Sequence, residues 1–159
     1  MDYIPYEVYK DLLGLPYIQG ESDCYSVVAT VLERACGVAL PNYARPRHFY
    51  DPRLDLFAKI YSEDYWEHLP SVDIKDMRAG DVLSMAVHDS VINHVGIYLG
   101  NQLFLHQLID REPREDSLTP AWLRRIQMVS RHRDVEQAVP RFNIIDLMPN
   151  YQKVAKYVE

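Results

Sequence analysis

The sequence has little cysteine and no long apolar run. Only two of its 159 residues are cysteines. No stretch approaches the roughly 20 consecutive apolar residues that a membrane-spanning helix needs. The first residues form neither a basic nor an apolar segment, so the sequence predicts no secretory signal peptide. We therefore expect no membrane insertion.

The two cysteines, Cys24 and Cys36, do not have the spacing of a metal or redox motif of the CxxC type. If both lie on one helix, about 18 Å separates them along its axis, which is too far for a disulfide. A reduced environment is therefore the default interpretation.

A concentration of positive charge is also missing. The net charge is −6 at pH 7, and no basic cluster is longer than Arg131-His132-Arg133. Proteins that bind nucleic acid usually present a basic face, so we expect no nucleic-acid partner. The composition, 48% hydrophobic and 25% charged, is typical of a globular protein, and the length fits one domain.

The hydrophobic pattern places helices before strands. Helical spacing of apolar residues predicts helices over residues 6–15, 23–36 and 54–66. Strand patterns predict a meander over residues 82–87, 93–99 and 103–108, with a tight turn at residues 100–102. Residues 122–130 fit a helix or a strand, and residues 141–147 fit a last strand.

This order of elements predicts an α+β fold in which N-terminal helices pack on an antiparallel β-sheet. We expect one domain over residues 1–147, followed by a C-terminal tail over residues 148–159.

Cys24 lies in the first turn of the clearest predicted helix, which Ser22 or Asp23 can cap. Free backbone N–H groups and the helix dipole favour a thiolate there, and they lower the pKa of the thiol. The alternative is that Cys24 is a small buried apolar residue, which is the commoner role of a free cysteine. Cys36, on the apolar face at the end of the same helix, is interpreted as core packing.

Two histidines flank the predicted turn. His94 begins one strand of the hairpin and His106 ends the next, at similar distances from the turn, so we expect them to be near neighbours. A cysteine nucleophile needs a base, and the base needs an orienting group, which makes His94 and His106 candidates for these roles. A zinc site built from both histidines and Cys24 stays open, but no further ligand is spaced to complete it. We predict no metal and no cofactor.

The other four histidines have no such arrangement. They are interpreted as surface or loop residues: His48, His68, His88 and His132.

Four short motifs occur in order along the chain. Tyr17 precedes the pair Asp23-Cys24 at a helix start, and a strand start follows at Ala79-Gly80-Asp81-Val82-Leu83. The last two motifs are His94-Val95-Gly96-Ile97-Tyr98 and Phe104-Leu105-His106. With these motifs, over roughly residues 8–133, the chain resembles the NlpC-type cysteine peptidases, which are papain-like peptidoglycan endopeptidases.

More narrowly, the chain looks like the NlpC-type proteins of the tail tips of long-tailed bacteriophages. The run Asp23-Cys24-Tyr25-Ser26 differs from the Asp-Cys-Ser-Gly pattern that is more common in bacterial wall hydrolases. Residues 37–43 and 119–133 also look like the tail-tip branch.

The resemblance implies roles for four side chains. It implies that Cys24 is the nucleophile, His94 its base and His106 the third polar member of a catalytic triad. It implies that the Tyr17 hydroxyl stabilises the oxyanion together with the backbone N–H of Cys24. The substrate that it implies is a peptidoglycan stem peptide, cut after D-glutamate.

The phage branch implies a protein that is made in the host cytoplasm and carried at the tail tip of the virion. Its expected partners are bacterial peptidoglycan and other tail-tip proteins, and its expected role is wall penetration or tail assembly. Three alternatives stay open. They are a structural tail-tip component that has kept the fold but lost activity, a different thiol enzyme such as an amidase or acyltransferase, and a binding module that uses the twelve tyrosines.

Overall fold

The computed structural model describes residues 2–47, 51, 53–87 and 91–135. The described part contains a six-stranded antiparallel sheet with helices packed against it, so the predicted α+β fold is confirmed. The strands are β1 (Trp66–His68), β2 (Val82–Met85), β3 (His94–Gly100), β4 (Leu103–His106), β5 (Arg114–Ser117) and β6 (Ile126–His132). The α-helices are α1 (Cys24–Cys36), α2 (Leu56–Ile60) and α3 (Pro120–Leu123). The strand order across the sheet is β1-β6-β2-β3-β4-β5.

Helix α1 has defined start and stop signals, and it matches the helix predicted over residues 23–36. The Asp23 side chain accepts a hydrogen bond from the Ser26 backbone, and the Ser26 side chain accepts one from the Asp23 backbone. This reciprocal capping box satisfies two N–H groups that the first turn would otherwise leave unpaired. Gly37 ends the helix in the left-handed conformation, at φ 69°. The apolar face of α1 packs on β3 and β4.

Apolar side chains cover both faces of the central strands. Along β2 and β3, alternate residues belong to the layer under α1, which includes Val82, Val95 and Ile97. The intervening residues belong to a second layer, which includes Leu83, Met85, Phe104 and Leu118. Because both faces are covered, every residue of β2 and β3 is buried.

The hairpin between β3 and β4 is confirmed, with a register that differs from the expected one. Asn101 and Gln102 both have positive φ, 53° and 62°, as in the tight turns that match the twist of a hairpin. The turn is therefore centred after Asn101, and the register shifts between Tyr98 and Gly100. As a result, His106 lies opposite Gly96, and His94 is one diagonal step away.

Three predicted elements differ from the structure. Residues 6–15 form two 3₁₀ turns, Tyr6–Val8 and Lys10–Leu12, because the backbone leaves the helical region at Tyr9. Only Leu56–Ile60 of the third predicted helix is helical, and Trp66 already belongs to β1. The ambiguous stretch 122–130 contains both types of element, since α3 ends at Leu123 and β6 begins at Ile126.

Strand β5 was not predicted from the sequence. The possible strand at 141–147 and the tail at 148–159 lie outside the described residues. None of the helices in the described part combines the length and the apolar character that crossing a membrane requires.

Candidate functional site

Cys24 is the first residue of α1, and only 3% of it is exposed. The backbone N–H groups of Val95 and Tyr25 lie where they favour the thiolate, as the helix position predicts. Burial acts in the opposite direction and is stronger, so it raises the pKa of the Cys24 thiol to about 12. Since Val95 follows His94 in the chain, the sulfur lies beside the start of the strand that carries the predicted base.

His94 and His106 are in direct contact, as the sequence predicts. The Nε2 of His94 lies 2.9 Å from the Nδ1 of His106, and their rings meet edge to face with centroids 5.1 Å apart. Gly96, opposite His106, makes this possible. A Cβ atom at Gly96 would lie 3.2 Å from the Cβ of His106 and 3.1 Å from the Leu105 carbonyl oxygen. The third motif therefore needs its glycine so that β4 can approach β3 closely.

Two aromatic side chains fix the ring of His106. Phe104 stacks on it with centroids 4.5 Å apart, and Trp122 of α3 meets it edge to face at 4.9 Å. His106 is fully buried, and burial lowers the pKa of its imidazole despite the opposing effect of Asp116. The ring is therefore neutral at pH 7, and its position is set by packing.

Asp116 is a member of this cluster that was not predicted from the sequence. Its Oδ2 lies 2.7 Å from the Nε2 of His106, and its Oδ1 accepts a hydrogen bond of 2.8 Å from Arg114. Asp116 lies on β5, whose sequence Arg-Glu-Asp-Ser has no apolar alternation to mark a strand. One signal was available, since Arg114 and Asp116 are two residues apart and would share a face of an extended chain.

Tyr17, the predicted oxyanion donor, lies close enough to Cys24 for the two groups to interact electrostatically. Burial is the main reason that its pKa is above the usual range, and the charges of Cys24 and Asp23 add to the effect. The Tyr17 hydroxyl donates a hydrogen bond to the side chain of Gln19, which in turn donates to the Arg45 carbonyl oxygen at 3.2 Å. The structure thus brings Tyr17 to the side of the cluster that carries the thiol.

A buried ion pair supports the loop before Cys24. The Nε of Arg45 donates to the Oδ2 of Asp23 at 2.6 Å, and both side chains are almost fully buried. Arg45 also donates to the Gly20 carbonyl oxygen, while the Gly20 N–H donates to Asp23. This arrangement fixes the loop between Tyr17 and Cys24, and sequence reasoning missed Arg45 because it lies on an irregular segment.

The remaining histidines do not join the cluster. His68 is exposed on β1 and its Nδ1 lies 2.9 Å from the Ser130 hydroxyl. His132 is buried on β6 between Tyr65 and Trp66, so its interpretation as a surface or loop residue is wrong. His48 and His88 lie outside the described residues. Within the described ranges, no group of three or more His, Cys, Asp or Glu side chains is arranged to hold a metal ion.

Comparison with known proteins gives one family match. The model of the NlpC/P60 family matches residues 14–131, which include Tyr17, Cys24, His94 and His106. That span also contains the strand of Asp116.

Two curated relatives are phage proteins. The chain is 27% identical over 122 residues to tail tip assembly protein K of Escherichia phage lambda. This match covers 77% of this chain and 59% of that protein. It is 23% identical over 125 residues to tail tip assembly protein K of Escherichia phage N15, covering 78% of this chain and 50% of that protein. The chain thus spans between half and three-fifths of the length of these relatives.

A solved structure shows the same fold. It is a lipoprotein-like protein of the NLP/P60 family from Staphylococcus aureus, with a TM-score of 0.51 and 21% sequence identity. The match covers 79% of this chain and 39% of that one.

Proposed function

The chain belongs to the NlpC/P60 family, and from that premise we propose that it is a cysteine endopeptidase of peptidoglycan stem peptides. The bond cut is the amide after D-glutamate. The observation that supports the proposal most directly is the chain of contacts around the thiol. Cys24 begins α1 beside the N–H of Val95, and His94, which precedes Val95 in the chain, lies 2.9 Å from His106.

The reaction begins from a neutral thiol, because burial holds the pKa of Cys24 far above neutral pH. His94 takes the thiol proton as the sulfur attacks the scissile carbonyl carbon. The N–H groups at the start of α1 and the Tyr17 hydroxyl stabilise the oxyanion. Tyr17 exchanges its bond with Gln19 for one to the substrate. His94 then protonates the leaving amine, and water releases the acyl group from Cys24.

The phage relatives support a place for this activity. Two proteins named tail tip assembly protein K are similar to most of this chain. We place the protein at the tail tip of a virion, where it meets the wall from outside and other tail-tip proteins are its neighbours. Local cleavage of the wall then aids penetration, or accompanies tail assembly.

A second candidate function is a structural tail-tip component with little or no activity. The burial of Cys24 favours it, since a thiol with a pKa of about 12 is almost entirely protonated at pH 7. The contact between His94 and His106 favours the catalyst, because it orients the base that the proposed mechanism needs and that a scaffold does not.

Replacing Cys24 separates the two candidates. For a catalyst, Cys24→Ala lowers the rate of stem-peptide release from purified murein by at least about a thousandfold. The reason is that no other group in the cluster can form the acyl intermediate. Mass spectrometry of the new termini measures the release and identifies the bond, and a terminus at D-glutamate is expected.

Cys36→Ala is the matched control. Cys36 is the buried thiol at the other end of α1, and its sulfur packs toward Gly80. Cys36→Ala should leave the rate of stem-peptide release unchanged.

Phage that carry Cys24→Ala assemble normally but infect less well if the protein is a catalyst. Normal infection together with unchanged release would favour the scaffold.

A further inference from the structure

Three side chains on neighbouring strands form a row on one face of the sheet. His94 lies on β3, His106 on β4 and Asp116 on β5, and each pair is one diagonal step apart in the register. Two hydrogen-bond contacts connect the row. The Nε2 of His94 lies 2.9 Å from the Nδ1 of His106, and the Nε2 of His106 lies 2.7 Å from the Oδ2 of Asp116. The row therefore runs from the thiol side of the site to the edge of the sheet.

Asp116, at the outer end of the row, determines which ring nitrogens of the two histidines carry protons. An ionised carboxylate only accepts hydrogen bonds, so the Nε2 of His106 must donate to Asp116. A neutral imidazole carries one N–H, and His106 is therefore an acceptor at Nδ1. The Nε2 of His94 then donates to that acceptor, and Nδ1 is left as the basic nitrogen of His94. In the proposed mechanism, Nδ1 of His94 is then the nitrogen that takes the thiol proton.

We propose that Asp116 is a positioning residue that fixes the tautomers of His106 and, through it, of His94. The effect of Asp116 on the two tautomers follows from the geometry of the row. Its effect on catalysis rests on the proposed peptidase function. Arg114 holds the carboxylate by donating to its second oxygen at 2.8 Å, so each oxygen of Asp116 accepts a hydrogen bond.

Packing alone does not determine these tautomers. Phe104 and Trp122 fix the plane of the His106 ring, but a ring held in that plane accepts a proton on either nitrogen. Among the described residues, the charged or titratable groups that face His106 are His94 from β3 and Asp116 and Arg114 from β5. Of these groups, the carboxylate of Asp116 is the one that must accept a hydrogen bond, so it selects which nitrogen of His106 is protonated.

The experiment reads both tautomers by long-range ¹H–¹⁵N NMR in the resting protein, without substrate. In the wild type, we expect His106 and His94 to carry their protons on Nε2. Asp116→Ala removes the acceptor, and we expect both rings to shift toward the Nδ1–H tautomer. In the murein assay, we expect kcat to fall about ten- to hundredfold with KM nearly unchanged, the range that loss of a histidine's hydrogen-bond partner costs at metal sites. Asp116→Glu keeps a carboxylate, so it should restore part of the wild-type tautomer populations and part of kcat.

Glu115→Gln is the matched control. Glu115 is the neighbour of Asp116 on β5, but it accepts a 2.5 Å hydrogen bond from the Tyr9 hydroxyl and does not touch the row. It should leave the tautomers and kcat unchanged. Identical tautomers in the wild type and Asp116→Ala overturn the proposal.

If Asp116→Ala fails to fold, the wild type alone decides, because an Nδ1–H tautomer of His106 there overturns the proposal as well. If the wild type releases no stem peptide while its tautomers follow Asp116, the peptidase assignment fails and the role of Asp116 stands.

Discussion

At the scale of single residues, burial keeps the thiol of Cys24 and the imidazole of His106 neutral. It raises the pKa of the Cys24 thiol and lowers the pKa of the His106 imidazole, so both groups are neutral near pH 7. In the proposed mechanism, the thiolate and the imidazolium form only when His94 takes the proton of Cys24. The sequence predicted the thiol at the helix start from its cap and apolar spacing. It left the burial of the thiol open as an alternative, since burial depends on contacts with distant parts of the chain such as Val95.

Gly96→Ala tests how closely β3 and β4 must approach. A Cβ atom there would lie 3.1 Å from the Leu105 carbonyl oxygen and from Phe104, and 3.2 Å from the Cβ of His106. These neighbours are backbone or tightly packed, so the strand must shift. We expect the free energy of unfolding to fall by about 1–3 kcal/mol. Urea denaturation measures it, and the murein assay should show a parallel loss as His106 moves.

Gly14→Ala is the control for this change. An added Cβ at Gly14 meets no atom within 4 Å, so the free energy of unfolding should change by less than about 0.5 kcal/mol. If Gly96→Ala is as well tolerated as Gly14→Ala, close approach of the strands is not what the glycine provides.

At the scale of elements, the parts of the site with local signals were predicted and the others were not. Helix α1 carries a capping box and a C-terminal glycine, and the β3–β4 hairpin carries a tight turn, so both could be read from adjacent residues. Strand β5 is held by polar partners on other elements, through Tyr9 to Glu115 and His106 to Asp116. Such contacts leave no hydrophobic period in the sequence.

The loop before α1 depends on the buried pair of Asp23 and Arg45. In Arg45→Ala, the carboxylate of Asp23 stays buried without a cation, which destabilises a protein by about 3–5 kcal/mol. We expect that loss in the free energy of unfolding, measured by urea denaturation. Because Asp23 also caps α1 next to Cys24, murein cleavage should fall as well.

Arg53→Ala is the surface counterpart. Arg53 pairs with Asp51 only two residues away, and 88% of its side chain is exposed. Its replacement should change the free energy of unfolding by no more than the error of the measurement, since exposed ion pairs contribute little to stability. Equal, small effects of the two replacements would show that the pair of Asp23 and Arg45 does not stabilise the loop.

At the scale of the whole molecule, the site exists only in the folded chain. Its thiol comes from the first turn of α1, its histidines from β3 and β4, and its carboxylate from the edge strand β5. Sequence motifs supply the thiol and the two histidines but not Asp116, and only the sheet aligns the three strands so that the polar side chains form one row. The order of the motifs therefore predicted the thiol and the two neighbouring histidines, and it missed the carboxylate at the end of the row.

Stability against acid is a property of the folded molecule that follows from its buried histidines. Burial is the largest cause that lowers the pKa of His106 and of His132 below the usual value of about 6.5, which the unfolded chain keeps. Below that value the unfolded state binds more protons than the folded state, so acidification favours unfolding. We expect the free energy of unfolding, measured by urea denaturation, to be lower at pH 5.5 than at pH 7.5.

Comparing the free energy of unfolding at the two pH values within each variant separates the contribution of the histidines from a general loss of stability. In the double variant His106→Gln, His132→Gln, the difference between the two pH values should shrink, even if the variant is less stable at both. His68→Gln should keep the wild-type difference, because His68 is exposed on β1. The double variant removes two groups whose pKa is lower in the folded chain than in the unfolded one. A pH difference that is the same in all three proteins would mean that carboxylates, and not these imidazoles, cause the loss of stability.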